Sequence, residues 1–150
     1  MPQSLSFTLV HIIFSTKDRR PFITKDVIED LHAYLSETSR NQGCECYRVG
    51  GVEDHVHLAV RLSRTITVAK LIEELKKTSS KWMKTKSAHL TGFTWQRGYG
   101  CFSLSPKDLD KLISYVDNQR KHHEKKTFQD EFREFLEAYG IDYDEKYVWD

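Results

Sequence analysis

Apolar residues recur along this chain with two different periods, and the switches between them outline the elements. Phe7 to Phe14 is a β-branched and aromatic run with apolar residues at both parities, as a buried central strand requires. A polar turn, Ser15 to Arg20, ends it ahead of Pro21. Thr24 can then cap a helix to about Arg40, with Val27, Ile28, Leu31, Tyr34 and Leu35 at helical spacing and Gly43 beyond its end. Strands are predicted over Glu45–Val49 and His55–Leu62, with Gly50-Gly51 and Glu53-Asp54 in the connection as a hairpin turn. Thr65 or Thr67 can cap a second helix striped by Val68, Leu71, Ile72, Leu75 and Trp82. Short strands at Thr94–Trp95 and Cys101–Leu104 flank a Gly98-Tyr99-Gly100 turn. Ser105 and Pro106 open a third helix, and a fourth starts near Thr127, buries Phe132, Phe135, Leu136 and Tyr139, and stops at Gly140. The order predicts an α+β sandwich close to a ferredoxin-like plan. It has a mostly antiparallel sheet of about five strands, helices on one face, and a separate C-terminal helix carrying Tyr115.

Length and composition narrow this picture without deciding it. At 150 residues, with no repeat, low-complexity tract or linker, the chain reads as one domain over 1–150. A net charge of +1 does not mark a nucleic-acid binder, so any basic surface must come from local clustering. Three cysteines cannot close a disulfide framework, no apolar run is long enough to span a bilayer, and Met1 to Ser6 lacks a secretion signal. The expected address is the cytoplasm, with no membrane partner.

Chemistry enters with the strand His55-Val56-His57-Leu58-Ala59-Val60-Arg61-Leu62. Its alternation puts Val56, Leu58, Val60 and Leu62 on one face and His55, His57, Ala59 and Arg61 on the other. Two imidazoles two residues apart can converge on one cation. The same tripeptide also suits ordinary hydrogen-bonded histidines. A structural zinc site with Cys44 and Cys46 is a further reading, against which stands the unusual Cys-x-Cys spacing.

The third helix adds a second group. Leu109, Leu112, Ile113 and Val116 form its core stripe, and at about 100° per residue Tyr115 falls roughly 110° from the stripe's centre. Gln119 lies one turn on, on the tyrosine's side. A half-buried surface tyrosine is one reading; a nucleophile beside a metal ligand is the other. Tyrosine, with a pKa of about 10, attacks poorly at neutral pH unless the electrophile is polarised, and a divalent ion on a phosphate does that.

Together, Gly50-Gly51-Val52-Glu53-Asp54-His55-Val56-His57-Leu58, Trp95-Gln96-Arg97-Gly98-Tyr99-Gly100 and Tyr115-Val116-Asp117-Asn118-Gln119, followed by His122-His123, resemble the single-tyrosine transposases of small bacterial insertion sequences. These are HUH endonucleases of the IS200-like type, and the likeness runs to the ending Asp144 to Asp150. Cys101 stands where a small residue such as Ala is usual. The resemblance implies a catalytic Tyr115, with His55, His57 and Gln119 holding a divalent ion, Mg²⁺ or Mn²⁺. It implies cleavage of single-stranded DNA, bearing hairpins at element ends, to a 5′-phosphotyrosine and a free 3′-hydroxyl, followed by rejoining. It also implies a homodimer with active sites shared between subunits.

Arg61, Lys76, Lys77, Lys81, Arg120 and Lys121 are candidate DNA contacts, with Lys84, Lys86, Lys125 and Lys126 near them. Tyr99 and Trp95 can stack on bases, although Trp95 suits burial in the sheet. Rival readings are a non-mobile relative acting on repeated DNA hairpins at one locus, a non-catalytic nucleic-acid-binding module, a longer-chain type of nickase, and a metal hydrolase that does not use Tyr115.

Overall fold

The structure is a computed structural model and describes residues 2–150. Four strands, β1 (Leu9–Ser15), β2 (Glu45–Val52), β3 (His55–Arg61) and β4 (Gly100–Leu104), form one sheet in the order β2-β3-β1-β4. Every pairing is antiparallel. Helix α1 (Ile28–Asn41) carries the chain from β1 to β2 across β3, and α2 (Val68–Met83) carries it from β3 to β4 across β1. Two interlocked split β-α-β units of this kind make the ferredoxin-like plan.

The alternation within each strand builds two cores. Val10, Ile12, Phe14, Val56, Leu58 and Val60 face α1 and α2, where Leu31, Leu35, Leu71 and Leu75 are fully buried. The other face is covered by α3 (Leu109–Asp117), α4 (Gln119–His122) and α5 (Phe128–Ala138). Leu9 and Ala59 meet Leu112 and Val116 there, and Ile13 and Phe102 meet Phe128, Phe132 and Leu136. Caps fix where the helices begin: the Thr67 hydroxyl accepts from Lys70 N at 3.0 Å and that of Thr127 from Asp130 N at 3.1 Å.

The details depart from expectation in three places. Thr94–Trp95 adds no fifth strand but a single bridge to Thr16. Helices cover both sheet faces, and the tyrosine helix is bolted to its own sheet. Gly50 and Gly51 lie inside β2, opposite His57 and Val56, and leave Glu53-Asp54 as the turn. Gly50 is needed there because α3 crosses directly over it: a Cβ would sit 2.4 Å from Val116 O.

Candidate metal and tyrosine site

The second sheet face carries a polar centre that hydrophobic packing alone does not explain. His55 and His57 on β3 are fully buried beneath α3–α5, together with His11 on β1 and Gln119 and Glu131 on the helices. Nε2 of His57 lies 3.0 Å from Glu131 Oε1, and Nε2 of His123 lies 3.2 Å from the same oxygen. Nε2 of His55 is 3.1 Å from Gln119 Oε1 and 3.5 Å from Glu131 Oε1. One donor atom from each of His55, His57, His123 and Glu131 can be chosen so that all lie within 4.8 Å of one another. The half-buried Tyr115 donates its hydroxyl to Glu131 Oε2. Its ring centre is 5.6 Å from that of His57 in the same chain.

The outer nitrogens of the three imidazoles are already committed. His55 Nδ1 is 2.7 Å from Asp54 Oδ1, His123 Nδ1 2.6 Å from Lys126 O, and His57 Nδ1 2.7 Å from His11 Nε2. A carboxylate or carbonyl only accepts, so His55 and His123 carry their protons at Nδ1 and turn Nε2 inward. Those inward nitrogens face Gln119 Oε1, which lies 3.0 Å from His123 Nε2, and Glu131 Oε1. Gln119 presents its oxygen because its amide nitrogen donates to Tyr115 O at 3.2 Å. Inward nitrogens facing oxygens, with every outer nitrogen held, can be bridged by protons, as imidazole–carboxylate hydrogen bonds, or by a cation whose supporting hydrogen bonds are already in place. The residues present therefore fit a divalent metal.

Burial and charge set the protonation pattern of the centre. Burial pushes the His57 imidazole down to about 4, against the pull of Glu131. His11 is also held well below the ordinary imidazole range, by burial and then by His57. Burial opposes ionisation of Glu131, but hydrogen bonds from His123 and His57 outweigh it and hold the carboxyl well below its usual range. His123 moves upward, because Glu131 overcomes its burial. Tyr115 is raised well above an ordinary phenol, by burial first and then by the Glu131 charge. Without a bound cation it is a poor nucleophile.

Of the expected ligands and nucleophile, His55, His57, Gln119 and Tyr115 come together. The other expected contacts divide. Arg61 shares the histidines' parity but lies six residues from His55, about 20 Å along a strand. It donates to Ser6 O at 2.7 Å and caps the Phe7 ring. Lys76 is mostly buried, pushed down to about 8 by desolvation, and donates to the carbonyls of Gln96, Arg97 and Gly98. Lys77 pairs with Glu74 and Arg120 with Glu53. Lys81 and Lys121 have no ion-pair partner among the described residues, and Lys121 borders a depression that exposes Tyr115 beside Lys111, Asn118 and His122. Trp95 is buried and donates to Ser79 Oγ at 2.9 Å, while Tyr99 stays exposed. Cys44 and Cys46 are buried in the core on the α1/α2 face, opposite the histidines, which removes the zinc reading.

Three members of the centre were not assigned from the sequence as ligands or supports. Glu131 left a signal: it interrupts the apolar stripe Phe128, Phe132, Phe135, Leu136 at a core position. His123 continues the spacing of Tyr115 and Gln119 by one more turn. His11 is a polar residue between apolar neighbours in its strand, which by itself points nowhere.

A buried histidine–carboxamide–carboxylate cluster holding a tyrosine hydroxyl, on one face of a ferredoxin-like sheet, has a donor set that could hold a metal ion beside the tyrosine. The family model described as Transposase IS200 like matches residues 5–119, and the chain belongs to that family. Among solved structures, it is similar to a candidate transposase from Deinococcus radiodurans R1 at 22% identity and a TM-score of 0.62, over 79% of this chain and 98% of that one. It is also similar to a REP-associated tyrosine transposase bound to a REP hairpin, at 15% identity and a TM-score of 0.56, over 77% of this chain and 70% of that one. Both likenesses are of fold. No curated protein matches the chain. No described helix is long and apolar enough to cross a membrane.

Proposed function

We propose that this transposase-family protein cuts and rejoins single-stranded DNA with Tyr115 as nucleophile. The observation that carries the reading is the placement of the Tyr115 hydroxyl on a carboxylate that also touches His57 and His123, within one buried centre. In cleavage, the Tyr115 oxygen bonds to a backbone phosphorus and gives up its proton, and the bond from phosphorus to the 3′-oxygen breaks. That oxygen takes a proton, which leaves a 5′-phosphotyrosine and a free 3′-hydroxyl. Attack by a second 3′-hydroxyl reverses the step and joins strands, so no nucleotide cofactor is consumed. His55, His57 and Gln119 would hold a divalent ion, Mg²⁺ or Mn²⁺, which when bound polarises the phosphate and offsets the charge that develops on it. Asp54 and His11 fix the two imidazoles from behind, and Lys121 borders the opening at Tyr115. Hairpin-bearing DNA is the proposed substrate, supported by the hairpin on the structural neighbour.

The test incubates labelled single-stranded hairpin DNA with protein and Mn²⁺. Wild type should form a covalent adduct, while Tyr115→Phe and EDTA should abolish it and leave DNA binding nearly intact. Binding without an adduct would instead support the non-catalytic module, and an undiminished adduct in Tyr115→Phe would remove the nucleophile. Assembly is tested by mixing Tyr115→Phe with His57→Ala. A homodimer that shares its sites regains cleavage once subunits exchange. A site working as placed here, Tyr115 over its own His57, stays dead.

A further inference from the structure

The family match ends at residue 119, yet two of the four clustered donors, His123 and Glu131, lie beyond it. We propose that the C-terminal segment completes the metal site: His123 and Glu131 are ligands in addition to His55 and His57, and Glu131 also holds the nucleophile beside the metal through its second oxygen. This rests on the tyrosine-nuclease reading and adds to it a donor set with a carboxylate.

Two observations carry it. First, a carboxylate on the apolar face of α5 is costly to bury unless it is fully partnered. Glu131 is 1% exposed, and its partners are the inward nitrogens of His57 and His123 and the Tyr115 hydroxyl. A residue kept only to support a helix would be apolar, like its neighbours Phe128, Phe132 and Leu136. Second, His123 is tied at Nδ1 to Lys126 O, as His55 is to Asp54, so its Nε2 is aimed into the same space. Three imidazoles and a carboxylate suit a Mn²⁺-class ion. The carboxylate adds a negative charge that a site of histidines and a carboxamide lacks. Because its other oxygen holds the tyrosine, the segment beyond the family match would set both the ion and the attacking atom.

The experiment measures Mn²⁺ binding by calorimetry on the full-length protein, with no DNA present. It compares wild type with Glu131→Gln, Glu131→Ala, His123→Ala and His57→Ala, after melting curves without metal verify that each is folded. Glu131→Gln is nearly isosteric and still offers an acceptor to Tyr115, so it serves if the alanine variant does not fold. We expect both Glu131 variants and His123→Ala to weaken Mn²⁺ by about tenfold or more. At saturating Mn²⁺, Glu131→Ala should still form adduct more slowly than Glu131→Gln, since only the amide keeps an acceptor for the hydroxyl. If His57→Ala loses Mn²⁺ but the Glu131 and His123 variants bind like wild type, this proposal falls and the nuclease reading stands. If His57→Ala also binds like wild type, the metal half of that reading falls and takes the proposal with it. If saturating metal makes the two Glu131 variants equal, the hold on Tyr115 is refuted. A wild type that shows the expected binding pattern but no adduct upholds the donor set and sinks the cleavage reading.

Discussion

A buried polar group is tolerated when its lone pairs and protons find partners, and His32 is a group that does not find one. Its Nε2 is buried on α1 with no hydrogen-bond partner among the described residues, and burial pushes the imidazole down to about 4. Between that value and the unfolded value of about 6.5, the unfolded chain binds more protons, so stability falls as pH drops through this window and is whole above it. His32→Phe has nothing to protonate there. The wild type should therefore lose about 2 kcal/mol more than His32→Phe between pH 7.5 and pH 5, read from urea unfolding. Equal losses would show that the ring finds water or a partner. The same rule says which residues of the centre were legible beforehand. His55, His57, Tyr115 and Gln119 could be placed because strand parity and helical spacing are local. Spacing marks Glu131 only as a core-facing carboxylate and His11 not at all, because what partners a buried polar side chain depends on which elements stack, and spacing does not encode that.

Elements place these residues through contacts that one methyl group can upset. Helix α3 carries Tyr115 and lies so close to β2 that a Cβ on Gly50 would meet Val116 O at 2.4 Å and Val116 Cγ1 at 2.8 Å. The carbonyl cannot rotate away, so α3 must lift, and overpacking of this kind costs about 1–3 kcal/mol. Gly50→Ala should lower the melting temperature and slow adduct formation even where it remains folded, because Tyr115 moves with its helix. Gly92→Ala is the control, since nothing among the described residues lies within 4 Å of its added methyl. A Gly50→Ala variant with wild-type rate and stability would mean that α3 does not sit on β2. The apolar periods gave the helices and the β2–β3 hairpin nearly where they lie, because burial on one face is written into them. They misread the glycine pair as turn, because its reason lies in a helix more than fifty residues away. They also made Thr94–Trp95 a strand, where Trp95 is an aromatic core residue packed edge-to-face with Phe14 and Phe93.

At the scale of the molecule, the donors join parts that are otherwise held together mainly by two small hydrophobic clusters. His55 and His57 belong to the sheet, whereas Gln119 and Glu131 belong to the helices laid across it and His123 to the turn just after α4. A cation shared by these residues ties α4 and α5 to β3, and it binds only when they are docked. Ligand that binds the folded state alone stabilises by about 2.7 kcal/mol at a hundred times its Kd. For a chain of this length that is roughly 5–11 °C in melting temperature. Mn²⁺ should therefore raise the wild-type melting temperature by that amount, and EDTA should reverse it. Hydrogen exchange should show the gain in the amides of Phe128–Ala138, which sit on the far side of the cluster from the sheet. Amides of Leu31 and Leu71, in the opposite core, should gain only what the global stability adds. His57→Ala should melt at the same temperature with and without Mn²⁺. A melting temperature indifferent to Mn²⁺ and EDTA in the wild type would mean that the cluster holds no ion in the folded chain. In that case the inward lone pairs are satisfied by protons alone, and Glu131 acts as the counter-ion of His123 instead of as a ligand.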